Sequence, residues 1–153
     1  MDCLSFDVGG TTVKYGVIDE SYKILKKDKI PTPENENDFI YSLSNIIQEN
    51  LSIISKVSVA MPGYVNSANN KYLYGPHLKY DIDFSKLSNF TDYKFHLDND
   101  GNVAAYCEYF LNYKTKYSNL IMLTFGTGVG GGIISEGRLL RGRGNAGEIG
   151  HML

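Results

Sequence analysis

The sequence predicts an α/β fold in two lobes, and three observations carry that reading. Short apolar runs at Cys3–Val8, Val13–Asp19 and Val57–Met61 read as strands, while Asp38–Leu51 places Phe39, Leu43, Ile46, Ile47 and Leu51 at the 3.6-residue helical period. Glycine is concentrated late: ten of the 16 glycines fall between Gly126 and Gly150, so backbone geometry is under unusual demand there. Two glycine-rich loops, Gly9-Gly10-Thr11-Thr12 and Gly126–Gly132, each lie between two strands far apart in the chain. Two such loops suit two lobes facing one nucleotide across a cleft.

The chain has 153 residues, 42% hydrophobic and 21% charged, enough for a modest domain with a real core. Fifteen basic against seventeen acidic residues leave a net charge of -2, with no electrostatic footprint for nucleic acid or an anionic membrane. No apolar run approaches membrane-spanning length, and Asp2 and Asp7 interrupt any signal peptide, so a cytoplasmic chain is expected. Cys3 and Cys107 are expected to be small core residues in a reducing compartment, and two thiols without ligand spacing make no zinc site within this chain.

In order, Cys3–Val8 is expected as a buried strand, Gly9–Thr12 as a tight turn and Val13–Asp19 as a second strand. Ser21-Tyr22 turns into a third strand, Lys23–Ile30, whose lysines mark one solvated face. The short connections make these an antiparallel meander. After the loop Pro31–Asn37 comes the helix Asp38–Leu51, then the strand Val57–Met61, which Pro62-Gly63 ends with the Gly63 backbone exposed. Asn66–Lys71 is turn-like. Tyr72–Ile82 is aromatic-rich without a clear pattern, and among 12 tyrosines its aromatics do not identify a binding platform. A β-type run, Tyr93–Leu97, leads into Asp98-Asn99-Asp100-Gly101-Asn102, and a helix leads out with Val103, Cys107, Phe110 and Leu111 on one stripe. Asn119–Phe125 is expected as another buried strand, followed by the second glycine loop, the strand Ile133–Ser135, a Glu136-Gly137 turn and Arg138–Leu140. Arg141–Gly147 is a basic, glycine-rich loop before Glu148-Ile149-Gly150-His151. A first domain over residues 1–115 and an incomplete start of a second over 116–153 are expected, with the strands Leu120–Phe125 and Ile133–Ile134 left uncovered.

The chemistry clusters at four places. Where strand meets helix, Asp98 or Asn99 can cap the first turn, and Asp100 lies near the positive end of the helix dipole, which favours its carboxylate form. Such a carboxylate can take a proton from a substrate hydroxyl. In Asp7-Val8-Gly9-Gly10-Thr11-Thr12, the glycines let the backbone approach a phosphate and successive N–H groups can form an anion nest. Thr11 and Thr12 add hydroxyl donors, Lys14 a positive charge, and a buried Asp7 is placed to hold a metal ion through water. Gly126-Thr127-Gly128-Val129-Gly130-Gly131 is a second phosphate cradle; it satisfies the dinucleotide pattern G-x-G-x-x-G, but a strand follows where that pattern should open a helix. Glu148 and His151, three apart, could accept from and donate to adjacent sugar hydroxyls, whereas His77 and His96 lack such a context and are read as structural.

Together these segments resemble a known family. LSFDVGGTTVKYGVID is similar to the first phosphate motif of the actin-like (ribonuclease-H-like) sugar kinases. VAMPGYVN, LDNDGNVAAYCE, LTFGTGVGGGII and RGNAGEIGH resemble, in order and spacing, the ROK family (repressor, open reading frame, kinase). The resemblance implies Asp100 as catalytic base; Asn99, Gly63, Glu148 and His151 as sugar contacts; and Gly9–Thr12 and Gly126–Gly128 as phosphate loops. It implies ATP with Mg²⁺, a homodimer at full length, and Zn²⁺ only where a longer chain supplies cysteine ligands beside His151. Gly101 and Val103 stand where the family usually has alanines. The family's cysteine cluster, a further sugar-binding glutamate and its adenosine-binding region have no counterpart in these residues. The activity implied is ATP-dependent phosphorylation of a sugar hydroxyl, with glucose, fructose, N-acetylmannosamine and β-glucosides all open as acceptors. The alternatives are a sugar-sensing ROK-type regulator, an inactive kinase fragment, or an actin-like ATPase or chaperone lobe.

Overall fold

The computed structural model describes residues 2–87, 93–126, 128–144 and 146–151. Period-2 burial builds the main sheet. In β1 (Asp2–Val8), Leu4, Phe6 and Val8 are buried while Cys3, Ser5 and Asp7 take the other face. β2 (Thr12–Ile18) pairs antiparallel with β1 from Cys3↔Ile18 to Val8↔Val13. β3 (Ile24–Pro31) pairs antiparallel with β2 and completes the expected meander. The expectation of one solvated face falls short: β3 ends the sheet, and its residues are exposed on both faces except Ile30. Lysines on such an edge discourage pairing with another strand.

Helix α1 (Glu36–Asn50) starts two residues earlier than the apolar period indicates. Its N-cap is Asn35, whose side-chain oxygen accepts from Asp38 N–H at 3.0 Å, and Glu36 and Asp38 favour the positive end of the dipole. The helix buries Phe39, Leu43, Ile46 and Ile47 and returns the chain for β4 (Ile54–Met61), which pairs parallel with β1. A parallel pair requires such a crossover. β5 (Tyr64–Asn66), β6 (Lys71–Tyr74) and β7 (Ile82–Asp83) resolve the aromatic-rich stretch into a small antiparallel sheet. Tyr72 is fully buried there and donates to the Leu78 carbonyl at 3.2 Å. β8 (Lys94–Asn99) completes the main sheet in the order β3-β2-β1-β4-β8.

Helix α2 (Asp100–Glu108) follows without a linker, and β9 (Leu120–Phe125), β10 (Val129–Ser135) and β11 (Arg138–Leu139) form an antiparallel sheet. The chain divides into two compact units, Met1–Asp98 and Asn99–Leu153. α2 belongs to the second and packs against β10.

Three expectations need correction. The stripe Val103, Cys107, Phe110 and Leu111 is not the packing face of α2; that face is Gly101, Asn102 and Ala105, and Cys107 and Leu111 are exposed. Small residues let β10 approach the helix backbone, and a wider turn over Tyr109–Tyr113, with Lys114 N–H donating to the Tyr109 carbonyl at 2.8 Å, shifts the phase beyond it. Cys3 is only half-buried, on the polar face of β1, with its sulfur 3.6 Å from Ser5 Oγ. β9 is not buried throughout: Leu120, Met122 and Thr124 are half-buried, whereas Ile121 is 68% and Phe125 79% exposed.

Candidate active site

In the first unit, the turn between β1 and β2 is tightly latched. Gly9 N–H donates to the Thr12 carbonyl at 2.9 Å. Thr32, just past β3, donates its hydroxyl to the Gly9 carbonyl at 2.7 Å and its N–H to the Thr11 carbonyl at 3.1 Å. Nothing in the sequence singles out Thr32; it reaches the turn because Pro31 lies opposite Thr12 in the β2–β3 register. Gly10 and Thr11 are exposed, so the turn offers its backbone outward. Asp7 is not buried as expected. Strand alternation turns it away from Phe6 and Val8, and its carboxylate, 61% exposed, lies 3.4 Å from Lys14 Nζ across the β1–β2 pair.

Gly63 follows β4 with φ of 94°, in the left-handed region that favours glycine. A Cβ there would lie 2.6 Å from Gly75 Cα and from the Tyr74 carbonyl oxygen. The fold alone therefore demands glycine at 63.

In the second unit, Asn99 is the N-cap of α2, only 7% exposed. Its Oδ1 accepts from Asn102 N–H at 3.1 Å, while its Nδ2 donates to Glu148 Oε1 at 3.4 Å. Glu148 Oε2 lies 3.8 Å from His151 Nε2, and His151 is exposed. One line of polar groups thus runs from the cap of α2 to His151. Asp100, next in the chain, is exposed in the first turn, where its Oδ1 accepts from Gly101 N–H at 2.8 Å. A carboxylate there is favoured by the helix dipole and is accessible to a substrate.

The late glycines divide by environment. Gly126 and Gly128 flank the β9–β10 turn, Gly126 N–H donates to the Gly128 carbonyl at 2.9 Å, and a Cβ at either would meet nothing within 4 Å. That open space is what a phosphate needs. Thr127, the remaining residue of this loop, lies outside the described residues. Gly101, Gly132 and Gly147 are packing glycines instead: a Cβ at Gly101 or Gly147 would lie 2.7 Å from the Gly131 carbonyl oxygen, and one at Gly132 would overlap Ala105 Cβ. The sequence carries no such distinction, because both uses look alike as a glycine run.

Among the described residues no group of three His, Cys, Asp or Glu side chains could hold a metal ion. A magnesium ion carried by nucleotide phosphates asks for only one or two carboxylates, and the exposed Asp7 beside the Gly9–Thr12 turn has the hard oxygen donors for that. Among the described residues no helix is long and apolar enough to cross a membrane.

A model of the ROK family matches residues 3–153. The chain is 32% identical to a glucokinase of Streptomyces coelicolor over 97% of its own length and 49% of that protein. It is 31% identical to a β-glucoside kinase of Listeria monocytogenes over 99% of its length and 53% of that protein. A ROK family glucokinase of Streptomyces griseus, solved with glucose and AMPPNP, superposes with a TM-score of 0.83 at 29% identity, covering 99% of this chain and 50% of that one. The chain spans about half the length of the curated relatives it matches.

Proposed function

The chain belongs to the ROK family and has the actin-like fold of that family's sugar kinases, and on that premise we propose that the protein carrying it is an ATP-dependent sugar kinase. The observation that carries the proposal is the line Asn99–Glu148–His151, which begins at the residue beside Asp100. It joins a candidate base to donors and acceptors suited to a polyol.

In the reaction, a sugar hydroxyl oxygen attacks the γ-phosphorus of ATP. Its proton passes to the Asp100 carboxylate, a P–O bond to the sugar forms, and the bond to the β-phosphate oxygen breaks to release ADP. Asn99, Glu148 and His151 bind and orient the sugar, with the Gly63 backbone as a further contact. A positioned base contributes about a hundred- to ten-thousandfold, or about 3 to 5 kcal/mol of barrier. The N–H groups of Gly9–Thr12 and of Gly126–Gly128 hold phosphates, and Lys14 adds positive charge beside the first turn. Asp7 would hold Mg²⁺, which neutralises charge on the phosphates. The proposal includes a homodimer and a cytoplasmic location.

The test is ADP formation by the protein as its own cell makes it, with glucose, fructose, N-acetylmannosamine or a β-glucoside, and with no sugar. We expect one sugar to raise the rate at least about tenfold, as a bound acceptor aligned for attack should. Sugar binding without ADP formation would support a regulator instead. ADP formation indifferent to every sugar would support an actin-like ATPase.

A further inference from the structure

We propose that His77 contacts the transferred phosphoryl group, as a further catalytic residue of the kinase reaction; the inference rests on the kinase reading above. The starting point is Gly10. A Cβ at Gly10 would lie 2.7 Å from His77 Cβ, 2.9 Å from Cγ and 3.3 Å from Nδ1. The glycine of the first phosphate turn therefore yields its side-chain space to an imidazole.

The segment around His77 touches a second place of interest. Gly75 packs on the end of β4, where its Cβ would lie 2.6 Å from the Pro62 carbonyl oxygen and 3.3 Å from Gly63 Cα. Residues 75–77 thus join the Pro62-Gly63 turn, a proposed sugar contact, to the Gly9-Gly10 turn, a proposed phosphate contact. A group passing from ATP to a sugar hydroxyl must cross between those two kinds of contact.

Pro76 fixes its own φ. Leu78 is buried, and its carbonyl accepts from the buried Tyr72 hydroxyl at 3.2 Å. His77 itself is exposed, and among the described residues no hydrogen bond or ion pair occupies its ring. An accessible N–H donor beside a phosphate turn suits a group whose negative charge is spread over three oxygens during transfer.

The experiment uses the full protein with its preferred sugar and compares wild type with His77→Ala and His77→Gln, the latter keeping an N–H donor. For His77→Ala we expect kcat to fall roughly ten- to a hundredfold, a donor aimed at developing charge being worth about that or more. KM for sugar and ATP should stay within about threefold, and the melting temperature should not move. Part of kcat should return in His77→Gln, or on adding imidazole to His77→Ala. A kcat within twofold of wild type in both variants overturns the inference and leaves the kinase reading intact. So does a rise in sugar KM at constant kcat, which would make His77 a sugar contact. Absence of sugar-dependent ADP formation by wild type removes the kinase reading and this inference together.

Discussion

Replacing Gly132 with alanine would drive a methyl into the Ala105 side chain, with the Gly101 carbonyl oxygen 3.0 Å away and Asn102 Cα at 3.4 Å. All three of these atoms are backbone or the first atom of a side chain, so none can swing aside. Overpacking of this kind costs about 1–3 kcal/mol. Alanine also restricts the unfolded chain, which returns about 0.4–1 kcal/mol. The net loss is up to about 2.6 kcal/mol, or a fall of up to roughly 10 °C in melting temperature for a chain of this size. Gly126→Ala is the matched control: a methyl there meets nothing within 4 Å, so its melting temperature should hold or rise slightly. Thermal melts followed by circular dichroism measure both. Ala105→Gly combined with Gly132→Ala should melt above Gly132→Ala alone, although glycine in a helix costs about 1 kcal/mol. Equal shifts for Gly126→Ala and Gly132→Ala would refute the division of these glycines into open and packed.

Thr32→Val removes the hydroxyl that holds the Gly9 carbonyl. It should cost about 1 kcal/mol in a melt and raise KM for ATP more than KM for sugar, and an unchanged ATP KM would dissociate the latch from phosphate binding. Burial pushes the Tyr72 phenol up to about 12. Because the folded value lies above the ordinary value of about 10, this contribution is whole below about pH 10 and is lost as pH rises toward 12, at about 1.4 kcal/mol per unit. Melts across that range should fall more steeply for wild type than for Tyr72→Phe; parallel curves would contradict the assignment.

Elements whose packing faces are made of large apolar residues were legible in the sequence. The alternation of Leu4, Phe6 and Val8, and the period of Phe39, Leu43, Ile46 and Ile47, both mark buried faces. Helix α2 was legible in place and type but not in orientation, since its packing face is Gly101, Asn102 and Ala105 and hydrophobicity does not register small residues. The same physics conceals the packing role of Gly131, Gly132 and Gly147 inside a run that also resembles a phosphate cradle. The motif around Asp7 points to burial, whereas strand alternation sets Asp7 at the surface. Within the second unit, spacing alone could not join Asn99 to Glu148, 49 residues away; that hydrogen bond depends on how residues 99–151 pack. Thr32 and His77 carry no local signal, since each reaches the Gly9–Thr12 turn through tertiary packing.

The central claim is that Asp100 takes the proton from the sugar hydroxyl, and Asp100→Asn tests it most directly. The variant keeps an oxygen able to accept from Gly101 N–H, so α2 should persist. Turnover with the preferred sugar, followed by coupled ADP detection, should fall by at least about a hundredfold. Sugar affinity, measured by calorimetry on the same preparation, should stay within a few-fold. Near-normal turnover in Asp100→Asn would contradict the account, because the first turn of α2 would then hold no carboxylate to accept the proton.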